Sequence, residues 1–444
     1  MIGQRCFDSE WRPAGAGANY AHLTESIEDD VFHKDADYTQ WKQKIVKYTP
    51  HQMALIVQGV QNAGAGKTTT AQLTKTPDLL YDSYTISGWY GIKANCECGV
   101  TKTSYVNAKA LYINKSMKLK IATQTLFEID GQAQLIVMEF QGVLDDYAQS
   151  VGFYYTKDQL IEDSKFDVVH FAPWYGFPMQ GRPDLTYAIG TIAFHQINWE
   201  QQNRNICEVV VNYDGCSSKG RGVYAMPIEI NTGAIVSSST VDFALATNCV
   251  WVSAEERCSL LNGYNEIIFK EFIKAGEHSE CASYNEKKVT FDLSLKGPTA
   301  YIWLTIQSRG DIDDGNWVKT FDDYGLDYIN EFMIITGTTA REDGMPASFY
   351  RTAKVLETFK VGIRRAIYLF SFQTNDKCKQ FTGHQTMTNV EKLQVSVMVK
   401  PHKCTLDFTG INLYGSSDIL KLMEQYIMEV IFILLSFLTL FSLH

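Results

Sequence analysis

Four stretches of the sequence place side chains where they could do chemistry, and each lacks a part that the chemistry needs. Gly64-Ala-Gly-Lys-Thr-Thr-Thr70 has the Gly-Lys-Thr of a phosphate-binding loop and follows the apolar run Met53 to Val57. Such a loop wraps phosphates with backbone amides, needs a glycine about five positions before the Gly-Lys glycine, and then opens a helix. That earlier position is Gln61, and the β-branched run Thr68-Thr-Thr-Ala-Gln-Leu-Thr-Lys-Thr-Pro77 predicts a strand that soon meets a proline. Gly310-Asp-Ile-Asp-Asp-Gly315 has the acidic density of a calcium loop. Counted from Asp311, however, Gly315 falls on a ligand position and Asp322 replaces the closing glutamate, so a polar surface loop is expected. His278-Ser-Glu-Cys281 and Cys96-Glu-Cys98 gather donors without a second pair at zinc spacing. His170 and His195 could be acid–base partners with Asp167 or Glu200, but strand histidines beside Trp174 and Trp199 read as packed structural residues.

No Gly-x-Ser-x-Gly elbow and no His-Glu-x-x-His pair occurs. Asn114-Lys-Ser116 is a glycosylation sequon, whose ordinary use requires secretion. Phe153, Tyr154 and Tyr155 could stack on sugars if exposed, but a buried strand is the expectation. The residues therefore assign no catalytic, cofactor-binding or metal-ligating position, and they predict a protein that is not an enzyme and carries no cofactor.

The elements expected around these residues are short strands. A length of 444 residues exceeds one ordinary core and suits two domains of nearly 200. With 45% hydrophobic and 20% charged residues the chain can bury a large core, well away from disorder. Its 24 Tyr and 24 Phe, with recurring Val, Ile and Thr, suit pleated surfaces, and 31 Gly and 10 Pro break them into many short segments. The net charge of -10 argues against a surface that wraps nucleic acid, because neutralising phosphates takes a local excess of Lys and Arg. The clearest basic run, Lys115-Ser-Met-Lys-Leu-Lys120, reads as a solvated strand face. Ten scattered cysteines read mostly as free thiols, and the opening Met-Ile-Gly-Gln-Arg has no apolar signal core, so assembly in a reducing cytoplasm is expected.

Several longer blocks have a fixed order. Phe171-Ala-Pro-Trp-Tyr-Gly-Phe-Pro-Met-Gln-Gly-Arg-Pro-Asp-Leu-Thr-Tyr-Ala-Ile-Gly-Thr-Ile-Ala-Phe-His-Gln-Ile-Asn-Trp199 reads as an aromatic strand, a Pro/Gly turn and a second apolar strand. Cys249-Val-Trp-Val-Ser-Ala-Glu-Glu-Arg-Cys258 reads as a strand running into an acidic helix start. In Val289 to Gln307 a turn containing Pro298 separates paired strands, the second centred on Trp303. Ala366-Ile-Tyr-Leu-Phe-Ser-Phe372 is a late strand, followed by Phe381-Thr-Gly and Thr388 to Leu393. Leu73 to Ile86 and Leu126-Phe-Glu-Ile-Asp-Gly-Gln132 precede them, the latter ending in a glycine corner. Across roughly residues 65 to 415 these blocks resemble the major capsid proteins of nucleocytoplasmic large DNA viruses, of the iridovirus and phycodnavirus kind. Ala193 and Phe381 stand where that family usually has proline, and its glycine-rich C-terminus is replaced by an apolar one.

The resemblance implies an all-β fold of two consecutive eight-stranded antiparallel jelly-roll barrels, a double jelly roll, with a short helical C-terminal tail. The expected division is an acidic arm (1–45), a first jelly roll (46–222) with a helical or loop insertion from Glu139 to Ser164, a linker (223–235), a second jelly roll (236–415) and the apolar tail (416–444). Trp303 and Phe370 are expected in the barrel core. The uncharged run Val430 to Leu443 is shorter than the roughly 20 residues of a spanning helix. It could be a helix buried against a neighbour or the barrel base, a contact with an internal viral membrane, or a disturbed reading frame. By resemblance the function is structural: a homotrimer forming a pseudo-hexagonal capsomer in the icosahedral shell of a large double-stranded DNA virus. Its partners would be neighbouring capsomers and minor capsid proteins, with no direct nucleic acid, in a virion capsid assembled in the host cytoplasm. A minor capsid or scaffold protein of the same fold and a jelly-roll carbohydrate-binding protein are the open alternatives.

Overall fold

The computed structural model describes residues 49–92, 102–174, 186, 188–192, 195–214, 217–221, 241–262, 269–295, 297–322, 324–337, 339–341, 345–374, 383–387, 390, 392–403 and 405–416. The acidic arm, the 223–235 linker, the tail beyond 416, and Cys6, Cys96, Cys98, Cys216, Cys378 and Cys404 lie outside the described residues.

Strands form where apolar and polar residues alternate, because successive side chains leave a strand on opposite faces. Asn114–Ile121 buries Met117, Leu119 and Ile121 and turns Lys118 and Lys120 outward, where they pair with Glu128 (3.1 Å) and Glu200 (2.6 Å). The basic run is thus a solvated strand face. In chain order the first half contains β1 (His51–Gly59), β2 (Thr68–Gln72), β3 (Leu79–Trp89), β4 (Lys102–Tyr105), β5 (Asn114–Ile121), β6 (Gln124–Ile129), β7 (Val168–Pro173), β8 (Ile197–Asn203), β9 (Val210–Asp214), β10 (Ser217–Arg221) and β11 (Val241–Val252). The second contains β12 (Phe269–Glu280), β13 (Lys287–Asp292), β14 (Pro298–Ser308), β15 (Ile329–Thr336), β16 (Thr339–Arg341), β17 (Ile367–Ser371), β18 (Gln385–Thr386), β19 (Leu393–Val399) and β20 (Leu406–Ser416).

Two four-strand orders repeat. The first half pairs β1-β11-β3-β7 in one sheet and β2-β8-β5-β6 in another; the second pairs β12-β20-β14-β17 and β13-β19-β15-β16. Position for position the orders are the same, and the pairs are antiparallel. In each half the first strand lies beside the last, which is the wiring of a jelly roll, so the fold is a double jelly roll. β4, β9 and β10 form a small third sheet in the first half.

This wiring corrects two expectations. β11, placed by the sequence in the second jelly roll, is paired from Gly59↔Ala244 to His51↔Val252 with β1, and with β3 on its other side. Ser217–Arg221, just ahead of the expected linker, is β10 of the small third sheet, and β11 beyond that linker also belongs to the first jelly roll. Val289 to Gln307 was expected to form paired strands; β13 and β14 instead lie in different sheets of the second jelly roll, partnered by β19 and by β20 and β17.

Helices fill the connections: α1 (Lys109–Tyr112), α2 (Gly131–Gln141), α3 (Leu144–Val151), α4 (Lys157–Asp163), α5 (Ile206–Val209), α6 (Ala254–Asn262), α7 (Arg309–Asp313), α8 (Ala347–Arg351) and α9 (Ala353–Phe359). Asp130-Gly131 starts α2: the Asp130 carboxylate accepts from Ala133 N at 2.7 Å, a cap that stabilises a helix by about 1 kcal/mol. Gly131 is required because an added Cβ would lie 1.9 Å from Leu111 O. Phe153, Tyr154 and Tyr155, expected in a strand, join α3 to α4.

Candidate assembly interface

Among the described residues, those singled out for chemistry are not brought together. Thr68–Gln72 is a strand, and the Gly64 and Gly66 backbone groups are occupied by Asn203 Nδ2 (2.9 Å to Gly64 O) and Arg204 O (2.8 Å from Gly66 N). Asp311 faces Lys319 at 3.0 Å, which supplies the positive charge a cation would have brought. His278 stacks on Phe291 with ring centroids 5.6 Å apart. Asp167 accepts from Gly91 N at 2.7 Å and Glu200 pairs with Lys120 at 2.6 Å. Asn114, the sequon asparagine, is buried in β5. Cys207, Cys249, Cys258 and Cys281 are free thiols. Among the described residues no group of three or more His, Cys, Asp or Glu is placed to hold a metal ion.

One charged cluster had no signal in the sequence. Lys109 is fully buried, with its ammonium 2.6 Å from Asp163 Oδ2 and 4.9 Å from the Tyr105 ring centroid. Tyr154 donates to Asp163 Oδ1 at 2.8 Å. His170 on β7 lies 3.9 Å from Asp163 Oδ2. Burial lowers the Lys109 pKa against the attraction of Asp163. Burial, and then the Lys109 charge, push His170 down to about 4.

An aromatic, apolar contact joins the two jelly rolls. β14 is buried on both faces: Ile302, Leu304 and Ile306 point into the second barrel with Phe370, whereas Tyr301 and Trp303 point out of it into the first half's core cluster. Trp303 therefore seals the contact between barrels, while Phe370 fills the second barrel as expected. Phe272 on β12 and Ile367 and Leu369 on β17 share the outward face with Trp303. β6 and α2 of the first jelly roll cover it. Phe127 meets Phe272 edge-on at 6.2 Å, Phe140 meets Trp303 at 5.7 Å, and Phe140 stacks on Phe359 at 4.5 Å. At its rim the buried Glu139 accepts from the backbone N–H groups of Arg364 (2.8 Å) and Arg365 (3.0 Å) and pairs with the Arg365 guanidinium. A second ion pair ties the end of the first jelly roll to its own start: Arg257 on α6 grips both oxygens of Asp78 at 2.6 and 2.8 Å, holding that carboxyl below its ordinary value.

Among the described residues nothing covers the equivalent sheet of the first jelly roll. On its outward face Met53, Leu55 and Val57 of β1 are 48%, 56% and 57% exposed, and Val169 and Phe171 of β7 are 57% and 43% exposed. The register joins these edges into one surface through Gly59↔Ala244↔Ile86↔Phe171 and Val57↔Ala246↔Tyr84. Five large apolar side chains facing water on one sheet mark an interaction surface.

No protein-family model and no curated protein matches the sequence. Solved structures do match. The crystal structure of VP54 from PBCV-1, fitted into a reconstruction of the virophage Sputnik, superposes with a TM-score of 0.65 at 12% identity, covering 85% of this chain and 96% of that one. The Faustovirus major capsid protein gives 0.64 at 10% identity, covering 88% and 94%. The mavirus major capsid protein gives 0.50 at 8% identity, covering 85% and 90%. Over nearly the whole of each of those chains the fold is that of viral major capsid proteins.

Proposed function

We propose that the chain is the major capsid protein of a large double-stranded DNA virus, a structural subunit that trimerises into pseudo-hexagonal capsomers of an icosahedral shell. One observation carries the reading: the outward sheet of the second jelly roll is covered within the chain, and its counterpart in the first is apolar and open among the described residues. Because both halves share one wiring, the elements corresponding to β6 and α2 in the second half are β16 and the helices α8 and α9. Set against the open sheet of another copy, they would repeat between chains the contact made within one. Three repeats return to the starting sheet and close a ring of six barrels, with each contact joining two different surfaces, as cyclic symmetry requires. The fold shared with the PBCV-1, Faustovirus and mavirus capsid proteins supports the same reading. The place of action is then the virion capsid, assembled in the host cytoplasm, with neighbouring capsomers and minor capsid proteins as further partners.

Light scattering coupled to size exclusion, with negative-stain images, tests it. The expected result is a particle of three 50.2 kDa chains with a six-lobed outline. A folded monomer at assembly concentrations would sink the trimer and leave the open sheet to another partner.

A further inference from the structure

We propose that Lys109, Asp163 and His170 form an acid-sensitive latch that holds the helical excursion between β6 and β7 against the first jelly roll. The three residues sit on three separate elements, α1, α4 and β7, and their contacts are what join them. Ala108, in a left-handed conformation (φ 50°), starts α1 and donates its N–H to Gly152 O at 2.8 Å. Gly152 ends α3 at φ +74°, and an added Cβ there would lie 3.2 Å from His170 Nε2 and 3.3 Å from Lys109 Cγ. The glycine is what lets the helix end press onto both side chains.

The protonation state of the ring follows from its neighbours. His170 Nδ1 lies 3.2 Å from the carbonyl of Ser150, an acceptor, so the ring proton sits on Nδ1 and Nε2 presents a lone pair. Among the described residues Nε2 meets no hydrogen-bond partner. The groups around it are the Lys109 ammonium from α1, Asp163 from α4, Tyr154 from the α3–α4 connection, Tyr105 from β4, Asp167 ahead of β7, and the uncharged carbonyls of Ser150 and Gln149 from α3. Asp163 already accepts from Lys109 and Tyr154, and Asp167 is bonded to Gly91 N. A proton on Nε2 therefore places a second buried cation beside Lys109 with one carboxylate between them.

An open latch returns His170 to its ordinary value of 6.5, whereas the closed one holds it at about 4. The closed form is favoured in full above the ordinary value and loses ground as the pH falls through 6.5 toward the folded value. Between neutrality and about pH 4.5 the opening equilibrium should rise by roughly tens of fold. The proposal does not depend on trimerisation.

Hydrogen exchange on the full chain, corrected for its intrinsic pH dependence, reads the latch directly. Residues 144–163 are expected to lose protection between pH 7 and pH 5 while β3 and β11 keep theirs, and His170→Gln should abolish that difference. Protection that ignores pH in the parent, or an unchanged acid response in His170→Gln, would overturn the proposal. If the variant does not fold, ring-carbon NMR of His170 in the parent decides: titration well below 6.5 supports the latch, and titration at 6.5 ends it.

Discussion

At the scale of single residues, Asp130 and Gly131 make separable predictions. Asp130 is half-buried by surface area, and burial raises its pKa against the hydrogen bonds that favour its charge. Its useful property is therefore the oxygen that caps α2. Asp130→Ala should cost about 1 kcal/mol in urea unfolding, while Asp130→Asn keeps the acceptor, removes the buried charge and should stay close to the parent. Gly131→Ala must push the Leu111 carbonyl aside and should cost about 1–3 kcal/mol. Asp78 has the opposite sign of shift: held below 3.8 by Arg257, it contributes stability above that value and loses it as the pH falls below. The melting difference between the parent and Arg257→Gln should accordingly be present at pH 7 and shrink below pH 3.8. Little of this was legible in the sequence. Asp-Gly serves a turn as well as a helix start, and Lys109 and Asp163 meet across 54 residues with nothing local to announce them.

At the scale of elements, alternation is plain in β5 and β8, because a strand packed on one face shows its period directly. β14 was located by its continuous apolar run, but the same run hid its second duty. A strand buried on both faces does not say which face meets its own barrel. Trp303→Ala and Phe370→Ala should each cost about 3–5 kcal/mol, since both empty a packed site. They should differ in kind: Trp303→Ala loosens the contact between barrels, and Phe370→Ala the second barrel itself. A double-mutant cycle on Phe140 and Trp303 should return a coupling of about 0.5–1.5 kcal/mol. Zero coupling would contradict the edge-on contact. The boundary near residue 222 was misread because nothing local in a strand's sequence names its partner; only the pairing of β11 with β1 decides.

At the scale of the molecule, the open sheet predicts that a charge disrupts assembly and spares the fold. Leu55→Glu with Phe171→Glu adds charge only to side chains already facing water. The variant should melt within about 0.5 kcal/mol of the parent, as exposed substitutions do, yet run as a monomer. If it remains trimeric, the interface lies elsewhere. The double jelly roll was legible through the order of many weak blocks. The open face was not, because Met53, Leu55 and Val57 have the composition of a core strand and only the structure shows which side of β1 is left uncovered.

The neighbourhood of β1 and β11 also sets a timetable for the growing chain. His51 is among the first described residues to leave the ribosome, and its partner Val252 is made about two hundred residues later, roughly 10–40 s at ordinary elongation rates. Throughout that interval β1 carries an unsatisfied backbone edge and an apolar row, the combination most prone to wrong pairing. Chains stalled before Val241 should therefore be captured by chaperones or aggregate, and release from that state should coincide with emergence of β11, long before the second barrel is complete.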